Sequence, residues 1–470
     1  MNNIEVDILI IGGGVAGSAM ACGLRNRGYK VILVEKSDKP QDTARGDHIQ
    51  PYVCEILEKW DVLDDFFRAG AEKRGGSLWY DSGGTEIMNA NVSKLDIPHP
   101  YFLYLNHENI SKVFLRLASQ DRNFRLLRPI FKWGQIKTNS RKNLFSIQLK
   151  DKTELNINTK LVIGADGTAS HVAKKFGFKR NTYRYKKALA VLFSDEYLLD
   201  DENNLKTYIT NQGIVAMIPR VGGGCKIGII IDRQDVKIWK KLSNSELSKK
   251  ISNLVPEYKD LKVSYGGIYP PTMISNEKWV KNNLVLIGDA CHGLHPGRSQ
   301  GMNTSIKCID SLIKNLPSKD RFQSKEIFKS LKSYETTVKP MIDDILEKNH
   351  KIGLGIDKFD KKDFYHNSSN VNEGEIWISA KKNLGLDILK KSINYFIDRR
   401  AFVGWISLQP SLGKLRAKLY SLGCVIEERT TNSGLIQLHI RVGSNEFGEL
   451  VSKKGVSLLA DVNLLKKEAI

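Results

Sequence analysis

Short apolar runs that end at glycine or at an acidic residue recur along this chain. Residues 6–11, 30–35 and 284–287 have the length and the valine, isoleucine and leucine content of buried parallel strands. Residues 18–27, after the first run, have helical composition, and the last run leads through a glycine-rich loop to a helix that begins near Asn303. Strand, glycine-rich turn and helix in this order predict an α/β fold with a parallel sheet.

The pieces between these runs have a different pattern. Residues 75–100 contain strand-like pieces with Gly-Gly turns, residues 126–155 alternate like a hairpin, and residues 183–232 are rich in strand-like runs. Helical stretches at residues 109–120 and 239–258 interrupt them. We therefore expect a discontinuous Rossmann-like domain, into which a mostly antiparallel β-sheet domain is inserted.

This interleaving divides the 470 residues into six segments. The Rossmann-like domain is predicted from residues 1–74, 106–180 and 276–350, the inserted sheet from residues 75–105 and 181–275, and a mainly helical region from residues 351–470. A chain of this length is too long for one small domain, and it can fill two or three that share an interface.

The C-terminal region carries no motif that indicates chemistry. Residues 374–422 are basic, aromatic and predicted to be helical, and residues 434–442 can form a strand. The aromatic residues of this region include Trp377, Tyr395, Phe396 and Trp405. We expect them to pack in a core, with peripheral contact to a membrane surface as the alternative.

The formal net charge of +20 raises the question of a polyanionic partner. The lysines are spread along the whole chain, however, and no block of five or six like charges occurs. We therefore expect a solvated basic surface and no nucleic-acid partner.

The six cysteines form no CxxC pair and have no metal-ligand spacing, so we expect free thiols and no metal. No stretch approaches the ~20 apolar residues of a membrane span, and the first apolar run, interrupted by Glu5 and Asp7, does not resemble a secretory signal. These features favour a cytoplasmic protein.

A GxGxxG loop follows the first strand. Gly12 permits a tight turn, Gly14 allows the backbone to approach a pyrophosphate, and Gly17 allows the helix to pack on the strand. Glu35 ends the second strand, where a carboxylate can accept a hydrogen bond from a ribose hydroxyl. An ordinary glycine turn is the alternative for the loop alone, but the complete unit predicts dinucleotide binding. It does not separate FAD from NAD.

Two further strand ends carry an aspartate next to a glycine. Residues 160–170, KLVIGADGTAS, place Asp166 and Gly167 after an apolar run, and residues 282–303, NNLVLIGDACHGLHPGRSQGMN, place Asp289 after another. The Asp289 carboxylate can accept from ribityl or ribose hydroxyls, and the helix that follows offers unpaired N–H groups.

Together, GGGVAG with Glu35, GADGTAS and IGDACHGLHPGRSQGMN resemble the three FAD fingerprints of flavoprotein monooxygenases of the p-hydroxybenzoate hydroxylase type. The resemblance covers about residues 5–345. It implies that NAD(P)H acts as a transient reductant of the flavin, that O2 adds at C4a, and that the resulting hydroperoxide hydroxylates an aromatic or conjugated small molecule. The cofactor supplies most of this chemistry.

The resemblance also implies a set of cofactor-binding residues. They are the glycine loop and the acid of the second strand, an arginine and a helical lysine near the flavin, the DG motif and the flavin loop: Gly12, Gly14, Val15, Ala16, Gly17, Glu35, Lys36, Arg45, Lys112, Asp166, Gly167, Asp289, Pro296, Gly301, Met302 and Asn303. No catalytic residue is assigned. His292 and His295 are candidates for acid–base work, although structural roles are favoured, and Cys291 is read as a small buried residue.

The chain departs from the family at several positions. Arg298 and Ser299 stand where a further glycine is common, and Lys112 stands where many members have arginine. Residues 45–51 and 289–296 are similar to segments of squalene-epoxidase-like enzymes and also to those of soluble bacterial hydroxylases, so epoxidation of an isoprenoid or lipid olefin remains an alternative. A flavin oxidase or reductase without oxygen insertion is another, and a basic protein that binds membranes or nucleic acid is a remote one. Residues 213–220 lack the tryptophans of the halogenase signature GWxWxIP.

Overall fold

The computed structural model describes most of the chain between residues 2 and 458. The described residues are 2–40, 46–81, 83–138, 143–196, 204–210, 213–258, 260–357, 401–421, 424–431, 434–443 and 456–458. They fall into two compact units, residues 1–366 and residues 367–470.

The strands within the described residues form five sheets. In chain order they are β1 (Asn2–Ile11), β2 (Val31–Val34), β3 (His48–Ile49), β4 (Glu72–Arg74), β5 (Gly76–Tyr80), β6 (Glu86–Asn91), β7 (Phe102–Tyr104), β8 (Phe124–Leu127), β9 (Ile130–Thr138), β10 (Asn143–Leu149), β11 (Glu154–Gly164), β12 (Arg180–Arg184), β13 (Lys187–Ser194), β14 (Asn204–Thr210), β15 (Gly213–Pro219), β16 (Cys225–Asp232), β17 (Ser264–Tyr269), β18 (Thr272–Asn276), β19 (Val280–Lys281), β20 (Leu284–Leu286), β21 (His292–Gly293), β22 (Ala401–Leu408), β23 (Val425–Thr430), β24 (Ile436–Gly443) and β25 (Val456–Leu458).

The α-helices cover the sheet faces and the connections between strands. They are α1 (Val15–Gly23), α2 (Pro51–Lys59), α3 (Leu63–Arg68), α4 (His107–Ala118), α5 (His171–Lys175), α6 (Val236–Trp239), α7 (Asn244–Leu254), α8 (Gly301–Asn315), α9 (Ser324–Asp357) and α10 (Gly413–Ser421).

The first sheet is built from distant parts of the chain. Its order is β19-β20-β11-β1-β2-β8, and β20, β11, β1, β2 and β8 run parallel to one another, whereas β19 is antiparallel to β20. The central strand β1 is apolar because both of its faces are covered, and Ile8, Leu9 and Ile10 are fully buried. The predicted fold class, a discontinuous Rossmann-like domain with an inserted sheet, is confirmed.

The inserted sheet has seven strands in the order β17-β13-β16-β15-β14-β5-β6. All of its pairs are antiparallel except β14 with β5. Burial alternates along β15: Val215 and Met217 pack in a core with Leu247 and Ile251 of α7, whereas the intervening residues point to the other face. One side of this sheet is thus covered by helix, and the other is only half-buried.

The expectation of a mainly helical C-terminal region is wrong for the residues that the structure describes there. Residues 401–408, expected to be helical, form β22, and β23, β24, β22 and β25 make an antiparallel sheet with one helix, α10. The reason is the period-two pattern of β22, which buries Ile406 and Leu408 against Leu438 and Ile440.

The strand expected at residues 434–442 is present as β24. Trp405 stacks on His439 with ring centroids 5.1 Å apart. The other three aromatic residues singled out above, Trp377, Tyr395 and Phe396, lie outside the described residues. Within the described part of the chain, no helix is both long and apolar enough to cross a membrane.

Candidate functional site

In the glycine loop between β1 and α1, two of the glycines have no space for a side chain, whereas a third has open space beside it. A Cβ atom at Gly12, whose φ is +108°, would lie 2.4 Å from the Ala165 carbonyl oxygen, and one at Gly17 would lie 1.8 Å from the Gly12 carbonyl oxygen. A Cβ at Gly14 would have no atom within 4 Å. Gly12 and Gly17 therefore allow close backbone packing, whereas Gly14 leaves room for a ligand.

Glu35 lies directly after β2, at the opening of this loop. Its Oε2 accepts a hydrogen bond of 2.5 Å from the Gly13 amide, and its Oε1 accepts one of 2.7 Å from the Ser37 amide. The carboxylate is thus fixed at the edge of the loop, beside Lys36. This is the edge at which a ribose hydroxyl is expected.

The second strand end, after β11, is held by its own aspartate. Asp166 accepts from the Ser170 hydroxyl at 2.5 Å and from the Val172 amide at 3.0 Å, so it fixes the start of α5. Gly167 follows with a φ of +76°, a conformation that favours glycine. Asp166 braces this turn with its side chain.

The third strand end, after β20, approaches the first. Gly288 has a φ of +57°, and a Cβ there would lie 2.6 Å from the Ala16 Cβ. Arg180 ties the second and third loops together, because it donates to the Thr168 carbonyl at 2.7 Å and to the Ala290 carbonyl at 2.8 Å. The three strand ends thus meet at one edge of the sheet.

A cavity of about 880 Å³ lies at this edge. Such a volume is near the upper end of the ~300–1,000 Å³ range of ligand pockets. Twelve of the residues predicted to bind the cofactor line it: Gly12, Gly14, Val15, Ala16, Glu35, Lys36, Asp166, Gly167, Asp289, Pro296, Gly301 and Met302. The structure therefore brings together the residues of all three motifs.

Four predicted residues have other positions. Gly17 packs under the loop, as described above. Asn303 is fully buried and braces the loop before α8, because its Nδ2 donates to the carbonyls of His48 and Ser299 and its Oδ1 accepts from the Gln50 amide at 2.8 Å. Arg45 lies outside the described residues.

Lys112, the fourth, does not line the cavity. It is half exposed on α4, where it pairs with Glu108 at 3.5 Å and donates to the Asn109 side chain. His107 and Ser111 of the same helix line the cavity instead. They are four residues apart and share one helix face, whereas Lys112 is turned about 100° from Ser111. The helical phase set by the buried Ile110 and Phe114 could have indicated this.

Arg128 also lies at this site, although no sequence motif had indicated it. This residue follows β8, which lies parallel to β2 with Leu127 opposite Val34, so Arg128 reaches the same edge as Glu35. Its Nε donates to the Ser37 carbonyl at 2.7 Å, and it lines the cavity. Its position directly after a short apolar strand could have indicated that it lies at the edge of the sheet where the cavity opens.

His292 and His295 are buried beside the loop that follows β20, and neither lines the cavity. Burial lowers the pKa of each side chain to about 4, so both are neutral at pH 7. The His295 Nδ1 accepts from the Gly297 amide at 3.1 Å, which places the ring proton on Nε2. This geometry favours a structural role for His295.

The cysteine beside them behaves as a small apolar residue. Cys291 is buried, and burial raises the pKa of its thiol well above the usual range. The Cys308 thiol nearby has its pKa raised to about 12 for the same reason. Both thiols therefore stay protonated at neutral pH, and neither is an activated nucleophile.

Comparison with known proteins shows the family of this chain. Residues 5–349 match the model of a family described as the FAD binding domain. The chain belongs to this family. The expected resemblance to flavoprotein monooxygenases is confirmed, and with it FAD as the cofactor and the oxidoreductase class.

Two relatives match over about two thirds of the chain. The ubiquinone hydroxylase UbiL of Rhodospirillum rubrum is 23% identical over 328 residues, 67% of this chain and 73% of its own length. The 3-demethoxyubiquinol 3-hydroxylase of Escherichia coli K12 is 24% identical over 327 residues, 67% of this chain and 80% of its own.

Two solved structures share the fold. PqsL of P. aeruginosa, in complex with 2-aminobenzoylacetate, superposes with a TM-score of 0.65 at 21% identity and covers 76% of this chain and 97% of its own. The p-nitrophenol 4-monooxygenase PnpA of Pseudomonas putida DLL-E4 has a TM-score of 0.65 at 16% identity and covers 84% and 98%.

Two glycine substitutions test the contacts of the FAD loop. Because Gly14 opens onto the cavity with an ordinary φ of −68°, we expect Gly14→Ala to change the free energy of unfolding by only ~0.5 kcal/mol but to weaken FAD binding roughly tenfold or more. Gly17→Ala should instead destabilise the fold by ~1–3 kcal/mol, because its methyl group overlaps a backbone carbonyl. Urea unfolding and FAD titration measure both. Equal effects of the two variants would contradict these roles.

Stability should fall on acidification. His48, His292 and His295 have folded pKa values of about 4 against 6.5 for an ordinary histidine, so the unfolded chain binds more protons between these values. The three neutral histidines stabilise the fold fully above pH 6.5, and this contribution is lost as the pH falls towards 4. Urea midpoints from pH 7.5 to 4.5 measure the slope.

Two variants test whether the buried histidines cause this dependence of the urea midpoint on pH. His48 packs between Phe102 and Tyr104, so His48→Phe should make the midpoint less dependent on pH. His171→Gln, at an exposed position, serves as the control and should leave the slope unchanged. A slope equal to that of the wild type in His48→Phe would count against this origin.

Proposed function

We propose that the protein is an FAD-dependent monooxygenase that uses NAD(P)H and O2 to hydroxylate an aromatic or conjugated small molecule. The observation that carries the proposal is the meeting of three strand-end loops and the inserted sheet around one cavity. Leu189, Tyr269 and Thr272 bring side chains of the β13, β17 and β18 region to the cavity that Gly14 and Asp289 line from the FAD-binding domain. A cofactor and a second small molecule can therefore meet there.

The relatives support the reaction type. The two whose identities are given above bear names of hydroxylases that act on quinones or quinols, and PnpA bears that of a monooxygenase of p-nitrophenol. All three names concern the oxidation of an aromatic or quinonoid ring. The transfer of this chemistry to the present chain is our inference.

In this proposal each strand end binds one part of FAD. The N-terminus of α1 and the opening at Gly14 hold the pyrophosphate, because unpaired helical N–H groups favour an anion. Glu35 accepts from the adenosine ribose, and Asp289 accepts from the ribityl hydroxyls. Backbone groups from Pro296 to Met302 would hold the ring.

The chemistry that bound FAD would supply is the transfer of two electrons from NAD(P)H to O2, with one oxygen atom entering the substrate and the other released as water. The side chains of the protein position the reactants and exclude water from them. Trp133, Leu189, Leu294 and Met302 line the cavity with apolar surface, which excludes water from the reacting atoms.

The assignment of Asp289 predicts a loss of cofactor. We expect Asp289→Ala to weaken FAD binding about 10- to 100-fold, because a hydrogen bond to a charged group contributes ~1.5–3 kcal/mol. The measurement is FAD titration of the apoprotein, followed by flavin absorbance after gel filtration. Asp260→Ala, at an exposed position between α7 and β17, is the control and should retain FAD. Unchanged affinity in Asp289→Ala would remove the central assignment.

The reaction is tested with the holoenzyme. We expect NAD(P)H oxidation to accelerate on addition of an aromatic or quinol substrate, with one atom of ¹⁸O₂ found in a hydroxyl group of the product by mass spectrometry. Oxygen incorporation into an epoxide would assign the olefin alternative instead. Consumption of NAD(P)H with all oxygen recovered as hydrogen peroxide, whichever substrate is added, would contradict the monooxygenase proposal.

A further inference from the structure

Positive charge is concentrated at one end of the inserted sheet, where β13 begins and β16 ends. Two segments meet there, residues 183–187 and residues 232–241. Lys187 lies opposite Asp232 in the sheet, and their side chains form an ion pair of 2.8 Å. The Arg233 side chain and its amide donate to backbone carbonyls of the first segment at 3.1 Å and 3.0 Å. We call these two segments the basic corner.

The basic corner carries a large share of the charge of the protein. Its 15 residues include two acidic side chains and seven basic ones, which are Arg184, Lys186, Lys187, Arg233, Lys237, Lys240 and Lys241. The resulting formal charge of +5 is a quarter of the +20 of the whole chain. The lysines are spread evenly along the sequence, but the pairing of β13 with β16 brings two groups of them together.

Most of these cations face solvent. The exposed ones are Arg184, Lys186, Lys237, Lys240 and Lys241. Within the part of the chain that the structure describes, none of these five forms an ion pair, whereas Lys187 is already paired with Asp232. Unpaired cations that share a small area create a positive potential, which attracts an anionic partner.

An isoleucine projects from the middle of these charges. Ile238 is 60% exposed on α6, whereas the next residue, Trp239, is buried in the core of the inserted sheet and anchors the turn. Lys237 precedes Ile238, and the Lys241 amide donates to the Ile238 carbonyl at 3.0 Å, so lysines flank the isoleucine on both sides. The aliphatic stems of lysines can lie against an apolar surface while their ammonium groups stay at its polar boundary.

This combination favours the surface of an anionic lipid bilayer. Such a surface offers phosphate groups to the lysines and hydrocarbon to Ile238. Single-stranded nucleic acid binds through aromatic rings as well as cations, but the rings of Trp239 and Tyr185 are buried and that of Tyr183 packs on His350. Interfaces between proteins are depleted in lysine. The lipid surface is therefore the partner that fits both the charge and the isoleucine.

The basic corner also borders the FAD cavity. Arg184 ends β12 and lies opposite Thr272 of β18, which lines the cavity together with Tyr269 and Pro270. Tyr269 is 39% exposed. A protein held at the basic corner would have this rim of the cavity close to the lipid surface.

We propose that the basic corner binds the surface of an anionic lipid bilayer. Lys237, Lys240 and Lys241 contact the head groups, and Ile238 enters the interface between head groups and acyl chains. The contact is peripheral and reversible, because one aliphatic side chain and a few cations provide only moderate affinity. The inference goes beyond the proposed function and does not depend on the reaction.

The test measures sedimentation of the FAD-loaded protein with lipid vesicles. Vesicles of phosphatidylcholine alone are compared with vesicles that also contain the anionic phosphatidylglycerol. We expect binding to the anionic vesicles to be at least tenfold tighter, and to weaken when added salt screens the charges. Equal binding to both kinds of vesicle, or no binding to the anionic vesicles at low salt, would overturn the proposal.

Charge reversal locates the contact. Lys237→Glu combined with Lys241→Glu should weaken binding to anionic vesicles at least tenfold, because each basic residue near such a surface strengthens binding about fivefold. The matched control is Lys325→Glu with Lys329→Glu, at exposed lysines of α9 that are also four residues apart and flank Phe328, which is 41% exposed. The control should weaken binding less than about threefold. An equal loss in both double variants would show that the overall charge is enough, and the basic corner would be rejected.

A third variant separates a lipid surface from other polyanions. Ile238→Ser keeps every charge, so we expect it to bind anionic vesicles about three- to tenfold more weakly, with the FAD content and far-ultraviolet circular dichroism of the wild type. Vesicle binding that is unchanged in Ile238→Ser would contradict the insertion of this side chain. A single-stranded oligonucleotide that binds the wild-type protein more tightly than the anionic vesicles do would show a nucleic-acid partner and overturn the lipid assignment.

Discussion

The structure depends on the parallel arrangement of β20, β11, β1 and β2, because parallel neighbours deliver their carboxyl ends to one edge. The acids and glycines that follow these strands come from positions as far apart as Glu35 and Asp289. Their proximity is set by backbone hydrogen bonds within the buried sheet, so the binding edge is as rigid as the core. The position of a loop that follows any of these strands is therefore determined by the strand, and not by the sequence of the loop.

Rigid strand ends bring backbone segments so close that some positions admit only glycine, and the loops are then braced from outside the cavity. Asn349 of α9 holds the loop that follows β20, because its Oδ1 accepts from the His295 amide at 2.6 Å and its Nδ2 donates to the His295 carbonyl at 3.1 Å. Asn303 braces the same loop from its far end. These buried amides satisfy backbone groups that would otherwise be costly to bury, and they leave the cavity side of the loop open to a ligand.

Local pattern sufficed for the parts of the site that local geometry determines. The glycines and the acids at strand ends could be predicted, since a buried strand and its turn are written in consecutive residues. The role of His107 could not be predicted from a resemblance that pointed to Lys112, because which side of a helix faces a cavity depends on its packing. At residues 401–408 the composition indicated a helix. These residues form a strand, because the period-two pattern allows Ile406 and Leu408 to be buried in the core. The face of the inserted sheet could not be predicted from the sequence, since its rows of side chains exist only through the register of four strands.

The motifs of consecutive residues and the side chains brought together by strand register also lie in different parts of the molecule. FAD supplies a reaction that many proteins can share, and consecutive motifs are enough to hold it. The inserted sheet, whose facing residues are scattered through the sequence, brings Leu189 and Tyr269 to the same cavity, and a buried ion pair connects this sheet to the FAD-binding domain. Lys226 of β16 reaches Asp47, whose Oδ1 also accepts from the His107 amide, and both His107 and the adjacent Gly46 line the FAD cavity. Because a buried charge without its partner is strongly destabilising, this contact holds the inserted sheet against the strand-end loops that line the FAD cavity.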